Sequence, residues 1–365
     1  MGGTEQAYVK EAFDTNWVAP LGPNVTHFET AIETYLGNNS RVAGVSSGTA
    51  ALHLALILLG VHPGDEVLCQ SFTFSASANP ICYVGATPVF VDSEKETWNI
   101  CPEALETAIK DRISKGKKPK AIIAVHLYGM PFKVDALLFI SKKYDIPLIE
   151  DSAEALGSSF QGQNCGTFGA ISVLSFNGNK IITTSGGGAL VGRSERIKQK
   201  AIFLATQARD TAPHYQHSEV GYNYRLSNIC AGIGRGQMEV LEDRIAARRK
   251  NHFFYTSLFS NVEGVTIFKE PSEDYFSNHW LSCILINPTQ AKFTSEQVRL
   301  AFEKENIESR PLWKPMHLQP VFEKAPYYGG IISESLFLQG LCLPSGSNLS
   351  AEDLERIQDV IQKFA

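Results

Sequence analysis

Hydrophobic and polar residues change period repeatedly along this chain. Between Glu5 and Asn16, Tyr8, Val9, Ala12 and Phe13 recur at helical spacing and predict an amphipathic helix. A turn at Ala19-Pro20-Leu21-Gly22-Pro23 separates it from a second helix over Val25–Leu36. Short apolar runs then alternate with helical stretches. Strands are predicted over Arg41–Val45, Glu66–Gln70, Pro88–Asp92, Ala121–His126, Pro147–Asp151, Ile171–Phe176 and Ala189–Val191. Helices are predicted over Ala50–Gly60, Ser75–Val84, Pro102–Lys115, Lys133–Tyr144 and Glu195–Leu204. This alternation predicts an α/β fold with a mostly parallel sheet, helices on both faces and ligands at the carboxyl ends of the strands. Residues 207–228 read as an irregular loop, and Met238–Leu258 as one long helix and a candidate hinge. Beyond it, strands at Val265–Phe268, Trp280–Ile286 and Glu308–Arg310 and helices at Ser295–Glu305 and Ala351–Phe364 predict a smaller α+β unit. The expected division is therefore a large domain over residues 1–240 and a small C-terminal one over 241–365.

Composition narrows the class. With 365 residues, 44% apolar and 19% charged, the chain has the balance of an ordinary globular protein of about two packed units. A net charge of −5 without a long basic run argues against nucleic acid as a partner. The longest apolar run, Ala50–Gly60, is too short to span a bilayer, so no membrane role is expected. Seven cysteines without a C-x-x-C pair fit reduced thiols in a cytoplasmic protein.

Candidate chemistry clusters at predicted strand ends. Lys180 follows the strand Ile171–Phe176 and precedes Gly186-Gly187-Gly188, a setting for an amine held in a cleft. Burial disfavours the ammonium, so such a lysine can form a Schiff base; alone it reads far more often as a solvated surface charge. Asp151 closes the strand at Glu150-Asp151, and a lysine with an aspartate for a pyridinium nitrogen is the pair that pyridoxal phosphate requires. Ser46-Ser47-Gly48-Thr49 opens the helix Ala50–Gly60, where free first-turn amides suit a phosphate or take a plain serine cap. Phe74 offers a face for a flat ring or a core packing group, and Glu154 stands one helical turn after Asp151. Arg310, Trp313, Lys314 and His317 would suit a phosphate-bearing substrate with a flat base, or form a proline-rigid connector. His214 and His217 lack a third ligand, so no metal site is expected. Gly178-Asn179-Lys180 lacks the Ser/Thr of a phosphate-binding P-loop, and Gly232, Gly234 and Gly236 read as positions of close helix packing.

Taken together these residues resemble the DegT/DnrJ-type sugar aminotransferases, fold-type-I pyridoxal phosphate enzymes. The likeness runs nearly end to end, through Gly22-Pro23, Ser47-Gly48-Thr49-Ala50, Phe72-Thr73-Phe74, His126-Leu127-Tyr128-Gly129, Gly221-Tyr222-Asn223-Tyr224-Arg225 and Leu343-Pro344-Ser345. Ser175-Phe176 with Lys180-Ile181-Ile182-Thr183-Thr184 and Arg310–Lys314 are most similar to the branch making UDP-4-amino-4,6-dideoxy-N-acetylglucosamine, the bacillosamine type. The resemblance implies that Lys180 carries the cofactor and moves a proton while Asp151 faces the ring nitrogen. Glu154 would meet the phenolic-oxygen side of the ring, and Phe74 its face. Ser47, Gly48, Thr49 and Ser175 would hold the phosphate, with Asn223 of the partner subunit, in a homodimer with shared active sites. Arg310, Trp313, Lys314 and His317 would bind substrate. The implied reaction moves the amino group of L-glutamate, leaving 2-oxoglutarate, to C4 of a UDP-linked 4-keto-6-deoxy-N-acetyl sugar for bacterial glycan or nonulosonate synthesis. A TDP-linked or C3-keto substrate, and a catalytically silent cofactor-binding homologue, are the alternatives. The resemblance also implies a short stretch ahead of Met1, which bears on N-terminal substrate contacts.

Overall fold

A computed structural model describes residues 1–37 and 39–364 of the chain. Its centre is an eight-stranded sheet. In spatial order it runs Arg41–Val45, Gly188–Gly192, Ile171–Ser175, Leu148–Asp151, Ala121–Val125, Glu66–Gln70, Thr87–Val91 and Tyr327–Tyr328. The strand Gly188–Gly192 runs antiparallel to both neighbours, and the remaining pairs are parallel. Strands buried on both faces read as continuous apolar runs. Ala121–Val125 (Ala-Ile-Ile-Ala-Val) is buried throughout, with Ile123 and Ile122 in cores on opposite sides of the sheet. A second, antiparallel sheet orders Val265–Ile267, Cys283–Ile286, Gly340–Cys342 and Arg310–Pro311. Its own core gathers Tyr255, Phe302, Ile357 and Val360 from the surrounding helices.

Predicted and observed elements differ at three places. The expected long helix Met238–Leu258 starts three residues later, at Leu241, and a further helix, Asn228–Met238, precedes it beyond Glu239 and Val240. That helix was not predicted; it is capped by Ser227, whose hydroxyl accepts the Cys230 amide at 3.1 Å. Its glycines explain both its weak signal and its place. A Cβ on Gly234 would lie 2.7 Å from the Phe28 ring, and one on Gly236 2.8 Å from Glu5, so the helix packs flush against the two N-terminal helices, Glu5–Asp14 and Pro23–Leu36. The predicted helix Ser75–Val84 is a 3-10 turn, Ser75–Ser77, followed by a short helix at Asn79–Tyr83, because Pro80 lacks the amide that would join them. The helix Ile332–Gln339 and the strand Gly340–Cys342, absent from the sequence reading, complete the second layer. Among the described residues no helix is long and apolar enough to cross a membrane.

Candidate active site

Four strands of the large sheet, three of them adjacent and the fourth beyond Gly188–Gly192, end at one place. Ser46 follows the strand Arg41–Val45, His126 follows Ala121–Val125, and Asp151 and Ser175 close their own strands. Beyond these ends lies a cavity of about 390 Å³ lined by Ser47, Gly48, Thr49, Phe74, Asp151, Glu154, Ser175, Lys180, Trp280 and Trp313, among others. Such a volume suits a small cofactor.

The cavity floor is acidic. Asp151 is buried; its carboxylate accepts the Ser77 hydroxyl at 2.7 Å and the Ala153 amide at 3.1 Å. Burial pushes its pKa up, against the lowering effects of Ser77, the Ala153 amide and the Lys180 charge. Glu154 is likewise pushed up by burial and drawn down by Lys180 and the Tyr128 amide, which donates to it at 2.6 Å. The Lys180 ammonium stands 3.5 Å from Glu154 and 4.2 Å from the centroid of the Trp280 ring. Two buried carboxylates thus share one lysine, and a further cation would find a complementary site there.

Glu150, the neighbour of Asp151, points to the other side of the strand and serves the scaffold. Burial pushes its carboxyl up, but His126 and the Gly169 and Gly166 amides outweigh this and hold it down at about 2. His126 receives the Phe132 amide on Nδ1 at 3.1 Å, so Nε2 carries the proton donated to Glu150 at 2.8 Å. Its ring stacks on Phe132, 4.1 Å between centroids. These bonds fix the turn from which the strand releases Asp151 into the cavity.

The opposite wall is the start of the helix Gly48–Leu58. Ser47 caps it, accepting the Ala50 amide at 3.0 Å, and the amides of Gly48 and Thr49 have no partner within the described residues. Close approach is enforced by glycine. A Cβ on Gly48 would lie 3.0 Å from Ser175 Cβ, and one on Gly188 only 2.4 Å from the Gly48 nitrogen. Amides exposed at a helix start, where the dipole is positive, form an anion cradle.

Of the sequence-predicted residues, Ser47, Gly48, Thr49, Phe74, Asp151, Glu154, Ser175, Lys180 and Trp313 line this cavity. Phe74 and Trp313 face each other at 5.3 Å between ring centroids. The Trp313 amide is held at 2.9 Å by the hydroxyl of Tyr128, which itself adopts a left-handed backbone (φ 55°) beside Gly129. Four predicted residues do not line it within one chain. Asn223 is exposed on the segment that bridges to Thr206, and Lys314 is exposed to solvent. His317 is turned inward, bonded to Ser71 at 2.7 Å and Glu334 at 3.3 Å and stacked on Tyr327. Arg310 pairs with Glu308 at 2.7 Å and lines a second cavity of about 570 Å³ that shares Asn179, Trp280 and Trp313 with the first. Sequence reasoning missed Ser77 and Trp280. The Phe74-Ser75-Ala76-Ser77 run offered a faint signal for the serine, while Trp280 arrives from a distant segment ahead of the strand Cys283–Ile286 and offered none.

An amine, a buried carboxylate able to meet a protonated ring nitrogen, and a helix start able to seat a phosphate are a donor set that fits pyridoxal phosphate. The fold and the site define a pyridoxal phosphate-dependent aminotransferase. The chain belongs to the DegT/DnrJ/EryC1/StrS aminotransferase family, whose profile it matches over residues 1–362. It is 50% identical over 365 residues to EpsN of Bacillus subtilis (strain 168), provisionally assigned as a pyridoxal phosphate-dependent aminotransferase, covering 99% of this chain and 93% of that one. It is 37% identical over 363 residues to a GDP-perosamine synthase of Escherichia coli O157:H7, covering 99% and 96% of the two chains. The crystal structure of a DegT DnrJ EryC1 StrS aminotransferase from Brucella abortus superposes with a TM-score of 0.91 at 29% identity, covering 99% of this chain and 95% of that one. The protein is thus a sugar aminotransferase with pyridoxal phosphate as cofactor, taking an amino donor and a nucleotide-linked keto sugar.

Proposed function

We propose that this enzyme moves the amino group of L-glutamate to C4 of a UDP-linked 4-keto-6-deoxy-N-acetylhexosamine, giving UDP-4-amino-4,6-dideoxy-N-acetylglucosamine for a bacterial glycan or nonulosonate. The observation that carries the chemistry is the convergence of Lys180, Asp151, Glu154 and the Gly48–Leu58 helix start on one cavity. Bound pyridoxal phosphate supplies a carbon that exchanges amines and a ring that delocalises the electrons left when a carbon-bound proton is removed. Asp151, ionised against a ring nitrogen that keeps its proton, holds positive charge at the cavity floor. The Gly48 and Thr49 amides with Ser175 take the phosphate and fix the ring's position. The Lys180 amine, freed on exchange, takes the proton from the donor's α-carbon and later returns one to C4 of the sugar. Glu154 keeps that amine oriented, and Phe74 and Trp313 close the mouth against water. The UDP preference is supported by the likeness of residues 175–186 and 310–314 to the bacillosamine-type branch.

A GDP-linked 4-keto sugar is the second reading, favoured by the similarity to GDP-perosamine synthase. We further propose that the enzyme is a homodimer in which Asn223 reaches the partner's phosphate site, and that each chain divides near residue 240 into two bodies, the first holding seven of the eight strands of the large sheet and the second the four-stranded antiparallel sheet. The test of substrate is product analysis by mass spectrometry and NMR after incubation with L-glutamate and UDP-, GDP- or TDP-linked 4-keto-6-deoxy sugars. An equatorial 4-amino UDP-N-acetyl sugar is expected. Turnover confined to the GDP substrate would replace the UDP reading by the second one, and turnover confined to the TDP substrate would overturn both.

A further inference from the structure

Arg248 stands out as a buried cation without a counter-ion. It lies on the helix Leu241–Leu258 with 8% of its surface exposed. Its Nη1 donates to the Trp280 carbonyl at 2.6 Å, while its Nε is buried and unbonded among the described residues. No carboxylate lies within ion-pair distance of it there, in contrast to the buried Arg112, which pairs with Glu66. A guanidinium shielded from water and left unpaired is costly, and a ligand anion would offset that cost.

The surroundings say which anion. Arg248 lines the larger cavity, which shares Asn179, Trp280 and Trp313 with the Lys180 cavity. Trp280 links the two cations: its carbonyl holds Arg248, its ring lies under the Lys180 ammonium at 4.2 Å, and its indole N–H donates to the Asn179 carbonyl at 2.8 Å. Arg248 and Lys180 are thus separated by a single residue, a span suited to a short amino acid. One guanidinium matches one carboxylate in charge-assisted contact. The other charged groups of that cavity are Arg310, paired with Glu308 at 2.7 Å, and Arg356 with Asp353, so Arg248 supplies its net charge, which one carboxylate balances and a diphosphate exceeds.

We propose that Arg248 is the carboxylate-binding residue for the amino donor, holding one carboxylate of L-glutamate or 2-oxoglutarate while the donor's nitrogen or keto carbon faces Lys180. This rests on the assignment of L-glutamate as donor and is independent of which nucleotide sugar accepts the amine. It makes Arg248 a specificity residue for the first half of the reaction, whereas the nucleotide would contact other parts of the cleft.

The test uses the holoenzyme and Arg248→Gln and Arg248→Lys variants, with 2-oxoglutarate binding measured by calorimetry and KM measured separately for L-glutamate and for the sugar nucleotide. Arg248→Gln is expected to weaken 2-oxoglutarate binding and raise the L-glutamate KM by about 10- to 100-fold, with the sugar-nucleotide KM unchanged. Arg248→Lys, which keeps the charge and loses the fork, should fall between. Unchanged 2-oxoglutarate binding, or equal rises in both KM values, would overturn the proposal. Should Arg248→Gln not fold, a crystal structure of the unsubstituted holoenzyme with saturating 2-oxoglutarate decides: a carboxylate on the Arg248 guanidinium supports it, and a carboxylate elsewhere overturns it. Failure of the substrate reading is distinguishable, because it would leave L-glutamate reactive and the UDP sugar inert. A holoenzyme that binds neither L-glutamate nor 2-oxoglutarate would overturn the donor assignment, and this inference with it.

Discussion

Lys180 is held by three features that do not depend on a ligand. Its backbone amide donates to the Asn177 carbonyl at 3.0 Å, its ammonium lies over Trp280, and Glu154 accepts it. Truncation to alanine removes the amine and leaves Glu154 as a buried carboxylate without its cation. If the amine carries the proton between donor and acceptor carbons, Lys180→Ala should lower turnover by at least about 100-fold, the lower end for a positioned acid–base group. The check is glutamate-dependent product formation at saturating cofactor, with unfolding followed in parallel. Activity within tenfold of the unsubstituted enzyme would remove Lys180 from the proton path. The lysine and aspartate were legible in the sequence because both follow directly on apolar strands, and strand ends are where an α/β sheet places its ligands. Trp280 was not, since its contact with Lys180 spans two layers and leaves no local pattern. The same holds for His317, which read as a substrate contact beside Trp313 but is turned inward by its bond to Ser71.

At the scale of elements, the cofactor cradle is the meeting of one helix start with one antiparallel strand. The strand Gly188–Gly192 lies so close to the Gly48–Leu58 helix that only glycine fits at its first position. A Gly188→Ala methyl would press on the Gly48 nitrogen and the Ser47 carbonyl and push the helix start away. Overpacking of this kind costs about 1–3 kcal/mol. Gly188→Ala is therefore expected to lower the unfolding midpoint and to weaken cofactor binding about tenfold or more, read by equilibrium dialysis. Gly178→Ala is the control, since a Cβ there meets nothing within 4 Å. A lowered midpoint with unaltered cofactor affinity would show that the helix start does not seat the phosphate. Seven of the eight strands of the large sheet were readable from their apolar runs, including the short antiparallel one, while the two-residue strand Tyr327–Tyr328 was not. The helix Asn228–Met238 was not, because Gly232, Gly234 and Gly236 suppress both its propensity and its apolar stripe. Those glycines did register as a packing signal, and they pack against Asn24, Phe28 and Glu5. The break before Leu241 carries neither proline nor glycine, so nothing local marked it.

At the scale of the whole molecule, two segments near the Asn223 region expose apolar side chains in sequence. Trp17, Val18 and Leu21 are exposed on the turn after the first helix, and Tyr215 and Val220 on the segment that leads to Asn223. Asn228 ties the start of its helix to that turn, donating to the Trp17 carbonyl at 3.0 Å while its own amide donates to Ala19. Apolar residues exposed on such segments are candidates for an association surface. They fit a homodimer whose contact carries Asn223 away from its own cavity and towards that of a second copy. Mixed dimers of Lys180→Ala and Asn223→Ala chains separate this from any arrangement within one chain. With Asn223 acting across the interface, the Lys180→Ala chain lends its intact Asn223 to the partner that retains Lys180, so one complete site forms per mixed dimer. At limiting cofactor the mixture should then recover activity that neither variant shows alone, and dialysis should reveal one tight cofactor site per mixed dimer. If Asn223 instead served its own chain, or no site at all, mixing would yield no more than the average of the two homodimers. The asparagine that is absent from the cavity of a single chain is thus the residue whose substitution most directly tests the proposal that two chains build one site.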